Sequence, residues 1–229
     1  MSLENKLKQA LQEKAHELRP PLQLKMQVLN PKARIRAKRK KRLLTGAFVT
    51  MLLIPTGGAL AYQSSLADEL YGSFENIKKH VASFTMESFL KLNGKLANAK
   101  GELGDEEYKE FTNHLKVFTS SKLEYGDKYG NIDYDQIPAK KAKELKQTLM
   151  ILQPFFDRLN NQPSTKDILT PTEYDQYISA QMTYEKIKVK SEVNPNERHV
   201  IEDIKESLRL EFLKAEAIID AVNEKQNQY

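Results

Sequence analysis

The sequence predicts a mostly α-helical protein with a single transmembrane helix and an all-α, bundle-like extracytoplasmic domain. Three observations support this fold class. Residues 43–62 carry no charged side chain, apolar residues recur at intervals of three and four through residues 63–229, and Gly and Pro separate these runs. Such intervals place apolar side chains on one face of a helix, so each run predicts a helix that buries that face.

Charge divides the chain into three parts. Residues 1–42 hold 13 Lys and Arg against 3 Asp and Glu, a net charge of +10. Residues 63–229 hold 23 Lys and Arg against 28 Asp and Glu, a net charge of −5. The total of +5 describes neither part, so it does not indicate a nucleic-acid-binding protein. We therefore predict a basic tail (1–42), a transmembrane helix (43–62) and a helical domain (63–229).

Residues 43–62 have the length of a membrane span, because twenty helical residues rise about 30 Å, the thickness of the hydrocarbon core. Eight Lys and Arg lie between residues 32 and 42, and none lies between residues 63 and 76. The positive-inside rule therefore predicts a cytoplasmic amino terminus and an extracellular carboxy-terminal domain at the cell membrane. A signal peptide cleaved after Ala59-Leu60-Ala61 is the alternative, and the 42 preceding residues favour an uncleaved anchor.

The basic residues beside this segment are predicted to set its topology and to contact anionic lipids. DNA binding by the same run is a less favoured interpretation, and no direct contact with nucleic acid is expected. The residues concerned are Arg34, Arg36, Lys38, Arg39, Lys40, Lys41 and Arg42.

The tail contains two short stretches with apolar side chains at helical spacing, on either side of Pro20-Pro21. Two short amphipathic helices cannot form a stable core by themselves, so we expect them to bind a partner protein or to lie on a membrane surface. A weakly ordered tail is the alternative. The candidate partner-binding residues are Leu3, Leu7, Leu11, Leu22, Met26 and Leu29.

Apolar spacing and helix-end signals predict the helices of the larger domain. We expect Gly104 to end one run, Pro154 to kink another, and Thr170-Pro-Thr-Glu173 to begin a helix as a capping box. Residues 123–135 alternate Tyr with polar residues and contain two Gly, which predicts an irregular loop or a short hairpin. The predicted stripes, in chain order, are Phe74, Ile77, Val81 and Phe84; Phe89, Leu92, Leu96, Ala99 and Leu103; Tyr108, Phe111, Leu115 and Phe118; Ala142, Leu145, Leu149, Leu152, Phe156 and Leu159; and, in the last helix, Ile204, Leu208, Phe212, Ala215, Ile219 and Val222.

No motif indicates catalysis, phosphate binding or a metal site. Cysteine is absent and the four His residues are scattered, so neither a disulfide nor a zinc site is expected. Residues 127–138 do not fit a calcium loop, because Ile132 stands where that loop needs Gly and Pro138 where it needs Glu. We therefore expect no cofactor and no enzymatic activity.

Three segments stand out: Glu173-Tyr-Asp-Gln-Tyr-Ile-Ser-Ala-Gln-Met-Thr-Tyr-Glu185, Tyr125-Gly-Asp-Lys-Tyr-Gly-Asn-Ile-Asp-Tyr-Asp135 and Leu152-Gln-Pro-Phe-Phe-Asp157. They resemble the outer domain of negative effectors of extracytoplasmic-function sigma factors in Gram-positive bacteria. Residues 18–29 are similar to the inner segment of membrane anti-sigma factors. The resemblance implies a membrane-anchored anti-sigma factor whose tail sequesters a sigma factor and whose outer domain senses an envelope signal. The alternative is a membrane-anchored extracellular ligand- or protein-binding module without a role in transcription.

Overall fold

The computed structural model describes residues 66–82, 84–194 and 200–228, which all belong to one compact unit. Helices make up most of this part of the chain. Two short 3₁₀ turns, Ile201–Asp203 and Glu206–Leu208, precede the last helix. The α-helices in chain order are α1 (Leu66–Tyr71), α2 (Phe74–His80), α3 (Met86–Tyr125), α4 (Ala139–Leu159), α5 (Thr165–Ile168), α6 (Pro171–Lys190) and α7 (Arg209–Gln226).

The transmembrane helix in the predicted fold class is contradicted. Among the described residues, no helix combines the length and the apolar character that crossing a bilayer requires. The segment for which the span was predicted, residues 43–62, lies outside the described residues.

The long helices pack in chain order around one core. Helix α3 contacts α1, α2 and α4, helix α4 contacts α6, and α6 contacts α7. The buried apolar side chains form a single cluster, in which Phe111 of α3 meets the ring of Phe156 of α4 edge-on at 5.8 Å. Edge-to-face contact suits the charge distribution of aromatic rings. The apolar stripes predicted on α3 and α4 therefore face each other.

Gly104 interrupts α3. Its backbone angles, φ 73° and ψ 173°, lie outside the helical region and are readily adopted only by glycine. Buried residues continue on both sides of this break, from Phe89 to Leu103 and from Tyr108 to Phe118. The prediction that a helical run ends at Gly104 is confirmed, and a second run follows it without a separate loop.

Pro154 lies inside α4, where proline cannot donate a hydrogen bond to the carbonyl of residue 150. The hydroxyl of Tyr174 on α6 donates to that carbonyl, on Met150, at 2.6 Å. A neighbouring helix thus satisfies the acceptor that the proline leaves unpaired. This hydrogen bond also joins α4 to α6.

Two predicted helix boundaries are wrong. Helix α2 ends at His80, so Val81 and Phe84 follow it instead of extending it. Helix α7 begins at Arg209, and Ile204, which was predicted to lie in it, has an extended backbone. These apolar side chains are nevertheless buried. The spacing of apolar residues predicts which side chains enter the core, but it does not predict where the helix ends.

The start of α6 confirms the predicted capping box. The Thr170 hydroxyl accepts a hydrogen bond from the Glu173 amide, and the Glu173 carboxylate accepts one from the Thr170 amide.

Residues 126–135 form the predicted loop and not a hairpin, because among the described residues the extended pairing is limited to one bridge between Gly126 and Ile132.

Candidate functional site

The sequence-predicted site residues lie outside the part of the chain that the structure describes. This applies to the six candidate sigma-binding residues between Leu3 and Leu29, and to the seven basic residues between Arg34 and Arg42. The structure therefore brings none of them together and leaves both assignments as predictions. Within residues 66–82, 84–194 and 200–228 it presents features that sequence reasoning did not identify.

A cleft of about 490 Å³ separates α1 and α2 from the second half of α3. Side chains of both walls line the cleft. The two walls are more than thirty residues apart along the chain. The residues lining it are Asp68, Glu69, Leu70, Tyr71, Gly72, Asn76, His80, Lys116, Ser120, Leu123 and Glu124. Sequence reasoning missed this site because no spacing within either segment distinguishes its residues from ordinary solvated ones.

Local hydrogen bonds hold the wall formed by α1 and α2. The Asn93 side chain on α3 accepts from the Ala67 amide at 2.9 Å, which satisfies a donor in the first turn of α1. The Asn76 side chain donates to the Tyr71 carbonyl at 2.7 Å, across the turn between α1 and α2. Gly72 in that turn has φ +82°, a conformation that favours glycine. The wall is therefore built in a defined position against α3.

Carboxylates outnumber cations around the cleft. Asp68, Glu69 and Glu124 line it together with the single Lys116 and with His80. Opposite charges attract and hydrogen-bond donors suit carboxylates, so this lining favours cationic or hydrogen-bond-donating groups over anions. Among the described residues, no group of three or more His, Asp or Glu side chains is arranged to hold a metal ion.

A second polar cluster holds the loop 126–135 against α6. The Glu185 carboxylate on α6 accepts from Lys122 at 2.6 Å, from the Ile132 amide at 3.0 Å and from the Tyr134 hydroxyl at 3.0 Å. Burial and the neighbouring carboxylate raise the pKa of Tyr134, so it stays a neutral donor. The side-chain amide of Asn131, which is also buried, has no hydrogen-bond partner within the described part of the chain.

A third polar cluster surrounds Asp157 at the end of α4. One carboxylate oxygen accepts from Gln153 at 2.8 Å and from Gln226 at 3.2 Å, and the other accepts from the amide and hydroxyl of Thr165 at 2.7 Å each. Burial nevertheless raises the pKa of Asp157, and these hydrogen bonds oppose the increase. The cluster joins α4, α5 and α7.

Comparison with known proteins identifies one family. A family model described as "Domain of unknown function (DUF3600)" matches residues 64–225. This match covers more than half of the 229 residues and includes the cleft, the Glu185 cluster and all of the Asp157 cluster except Gln226. No curated protein matches the chain.

Proposed function

The chain belongs to the DUF3600 family, and on this premise we propose that it is an anti-sigma factor whose tail captures a sigma factor and whose helical domain receives the controlling signal. The cleft between α1, α2 and α3 carries the proposal for the helical domain, because it is an open surface cleft lined by both apolar and charged side chains. The resemblance in the tail carries the proposal for the sigma factor. An extracytoplasmic-function sigma factor is the expected partner.

The division of charge supports two separate tasks. The tail has a net charge of +10 and two apolar stripes but too few residues for a core, whereas residues 63–229 have a net charge of −5 and include one continuous core. A short amphipathic segment gains order by binding a groove on another protein. A domain with its own core is suited to hold a preformed ligand site.

Capture of the sigma factor is tested with the tagged full chain. We expect it to co-purify with the sigma factor and Leu7→Asp plus Met26→Asp to reduce the captured amount at least about tenfold, because each change places a charge on an apolar stripe. The matched control is Gln9→Asp plus Gln27→Asp, which adds the same charge outside the stripes. Equal capture by the two double variants would contradict the proposed anchors.

The regulatory role is tested by deleting residues 2–30 and measuring transcription from a sigma-dependent promoter. An anti-sigma factor predicts increased transcription, because the captured sigma factor is released. The alternative, a ligand- or protein-binding module without a role in transcription, predicts no change. The cleft suits that alternative equally well, so the deletion separates the two functions.

The role of the cleft is tested by filling it. Ser120 is exposed on its α3 wall, so Ser120→Trp is expected to abolish the transcriptional response to envelope stress while sigma capture persists. Ser207→Trp places the same bulk on an exposed position outside the cleft and serves as the control. An unchanged response in Ser120→Trp would exclude the cleft as the signal site.

The predicted localisation, with the tail in the cytoplasm and the helical domain outside, stays a prediction. The chain contains no cysteine, so one introduced thiol reports its own position. We expect a membrane-impermeant maleimide to label Ala139→Cys in intact cells and Ser2→Cys only after lysis. Labelling of both variants only after lysis would place the domain inside the cell.

A further inference from the structure

Gly104 divides helix α3 into two halves, and the two walls of the cleft belong to different halves. The first half, residues 86–103, carries α1 and α2, because its Asn93 side chain accepts a hydrogen bond from the Ala67 amide at 2.9 Å. The second half, residues 105–125, supplies the opposite wall of the cleft. The angle between the two halves therefore sets the distance between the walls.

The cleft exists because α3 is bent at this glycine. In an unbroken helix Asn93 and Ser120 would be about 40 Å apart, since a helix rises about 1.5 Å per residue. Helix α1 has six residues and is about 9 Å long, yet it reaches both halves. Ala67 is hydrogen-bonded to Asn93, and the adjacent Asp68 lines the cleft together with Ser120. The break at Gly104 therefore folds the second half back towards α1.

The bend depends on backbone angles that glycine alone adopts readily. Gly104 has φ 73° and ψ 173°, a conformation that is strained for any residue with a Cβ atom. A Cβ atom built at Gly104 would meet nothing within 4 Å beyond the adjoining backbone, and the same holds for Gly101, one turn earlier. A substitution at Gly104 therefore perturbs the bend without a clash against neighbouring side chains.

Arg158, near the end of α4, bridges the break. Its guanidinium donates to the Glu107 carboxylate of the second half at 2.5 Å and to the Glu102 carbonyl of the first half at 3.1 Å. Lys100 and Asp105 also pair across the break at 3.6 Å, but the Asp105 side chain is 89% exposed, so this contact holds the bend less firmly. Arg158 is thus the side chain of another helix that fixes one half relative to the other.

We propose that Gly104 is a hinge that sets the width of the cleft and that Arg158 is the positioning residue that holds the hinge bent. This inference rests on the proposed role of the cleft as the signal site and assigns a means of regulation to it. The side chains of Arg158 and Glu107 are 54% and 49% exposed, and ion pairs with such exposure are weak. A ligand that binds one width of the cleft better than another can therefore release Arg158 and shift the bend.

Spin labels on two introduced thiols measure the distance between the walls by double electron–electron resonance. The full chain contains no cysteine, so Lys79→Cys on α2 and Asn113→Cys on the second half of α3 are the two labelled positions. Asn113 is about 14 Å along the helix from Gly104, so a rotation of about 20° at the hinge moves it by about 5 Å. The control pair is Lys79→Cys with Lys91→Cys, which lie on the same side of the hinge.

A change at the glycine tests the hinge. We expect Gly104→Ala to lengthen the distance between the walls by at least about 5 Å, because alanine favours the unbroken helix. Gly101→Ala, in an ordinary helical position of the same helix, is expected to leave this distance unchanged. Equal distances in the two variants would overturn the hinge. Circular dichroism checks that each variant folds, and the Arg158 variants decide the question if Gly104→Ala does not.

A change at the arginine tests the positioning role. Arg158→Gln is expected to lengthen the mean distance between the walls by at least about 3 Å, and Arg158→Lys to restore most of the parent distance, because it keeps a cation beside Glu107. Arg209→Gln is the matched control, since Arg209 also donates to two backbone carbonyls, those of Ile204 and Glu202, outside the cleft. A distance distribution of Arg158→Gln identical to that of the parent chain would refute the role of Arg158.

Transcription separates the hinge from the proposed signal role. Arg158→Gln is expected to change transcription from a sigma-dependent promoter in unstressed cells at least about threefold, because it shifts the population of bent chains, whereas Arg209→Gln leaves it unchanged. Walls that move without any change in transcription would overturn the regulation assigned to the hinge. If the walls move in Arg158→Gln but Ser120→Trp leaves the stress response intact, the hinge is supported and the cleft is excluded as the signal site.

Discussion

The hydrogen bond from Tyr174 to Met150 gives a sharp test of how α4 tolerates Pro154. Removing the Tyr174 hydroxyl with Tyr174→Phe leaves the Met150 carbonyl without a donor while it keeps the buried ring. An unpaired, partly buried acceptor costs about 1–2 kcal/mol of unfolding free energy. In a Pro154→Ala background the new amide at position 154 can donate to the same carbonyl. The cost of Tyr174→Phe should therefore fall by about 1 kcal/mol.

The assay is a double-mutant cycle with urea unfolding of the full chain, followed by circular dichroism at 222 nm. Distant and independent changes add within about 0.3–0.5 kcal/mol, so the expected coupling of about 1 kcal/mol is measurable. Tyr177→Phe in both backgrounds is the control, because Tyr177 is buried on the same helix and makes no hydrogen bond to Met150. Strict additivity of Tyr174→Phe and Pro154→Ala would refute the explanation that Tyr174 replaces the amide that the proline lacks.

Three further predictions concern the clusters that connect the helices, each measured by urea unfolding of the full chain. Lys122→Met should lower the unfolding free energy by about 3 kcal/mol, because it leaves the partly buried Glu185 without its ion pair; a midpoint unchanged from that of the parent chain would contradict this assignment. Thr170→Ala should cost about 1 kcal/mol through loss of the helix cap, and Thr170→Ser should restore most of it. Burial raises the pKa of Asp157 above its ordinary value of 3.8. The native state therefore binds a proton more tightly than the unfolded state, and the contribution of Asp157 to stability decreases as pH rises through the raised pKa. The unfolding free energy of the parent chain minus that of Asp157→Asn should accordingly increase as pH falls towards 4. A difference that does not change with pH would contradict a raised pKa for Asp157.

Most helices could be predicted from the sequence because their cause is local. A three-four spacing of apolar residues requires one buried face, and every residue of the predicted stripes on α3 from Phe89 to Phe118 is buried. Thr170 and Glu173 satisfy each other across a single turn, and Gly104 adopts its angles for reasons of its own chemistry. The ends of α2 and α7 were wrong because Val81 and Ile204 reach the core from non-helical backbone.

The candidate sites depend on separations that sequence patterns do not record. Lys122 and Glu185 are 63 residues apart, and Asp157 and Gln226 are 69 residues apart. Nothing in the neighbourhood of Glu185 distinguishes it from the solvated acids around it until α6 is packed beside the loop 126–135. The cleft likewise forms between α1 and α2 on one side and the second half of α3 on the other, which are distant in sequence.

Local sequence was sufficient to predict that residues 66–82, 84–194 and 200–228 are mostly helical and to predict the signals that start or interrupt helices, since each depends on residues within a few turns. The division of charge follows from composition. The predicted transmembrane helix is not supported by the described part of the chain. Only the packed helices show which polar side chains become partners across the core, that Tyr174 compensates for Pro154, and that Leu210 at the start of α7 stays exposed. A side chain's burial and its hydrogen-bond partners depend on helices that are distant in sequence. Apolar periodicity shows which face of each helix is turned to the core, but it does not show which helices lie next to each other.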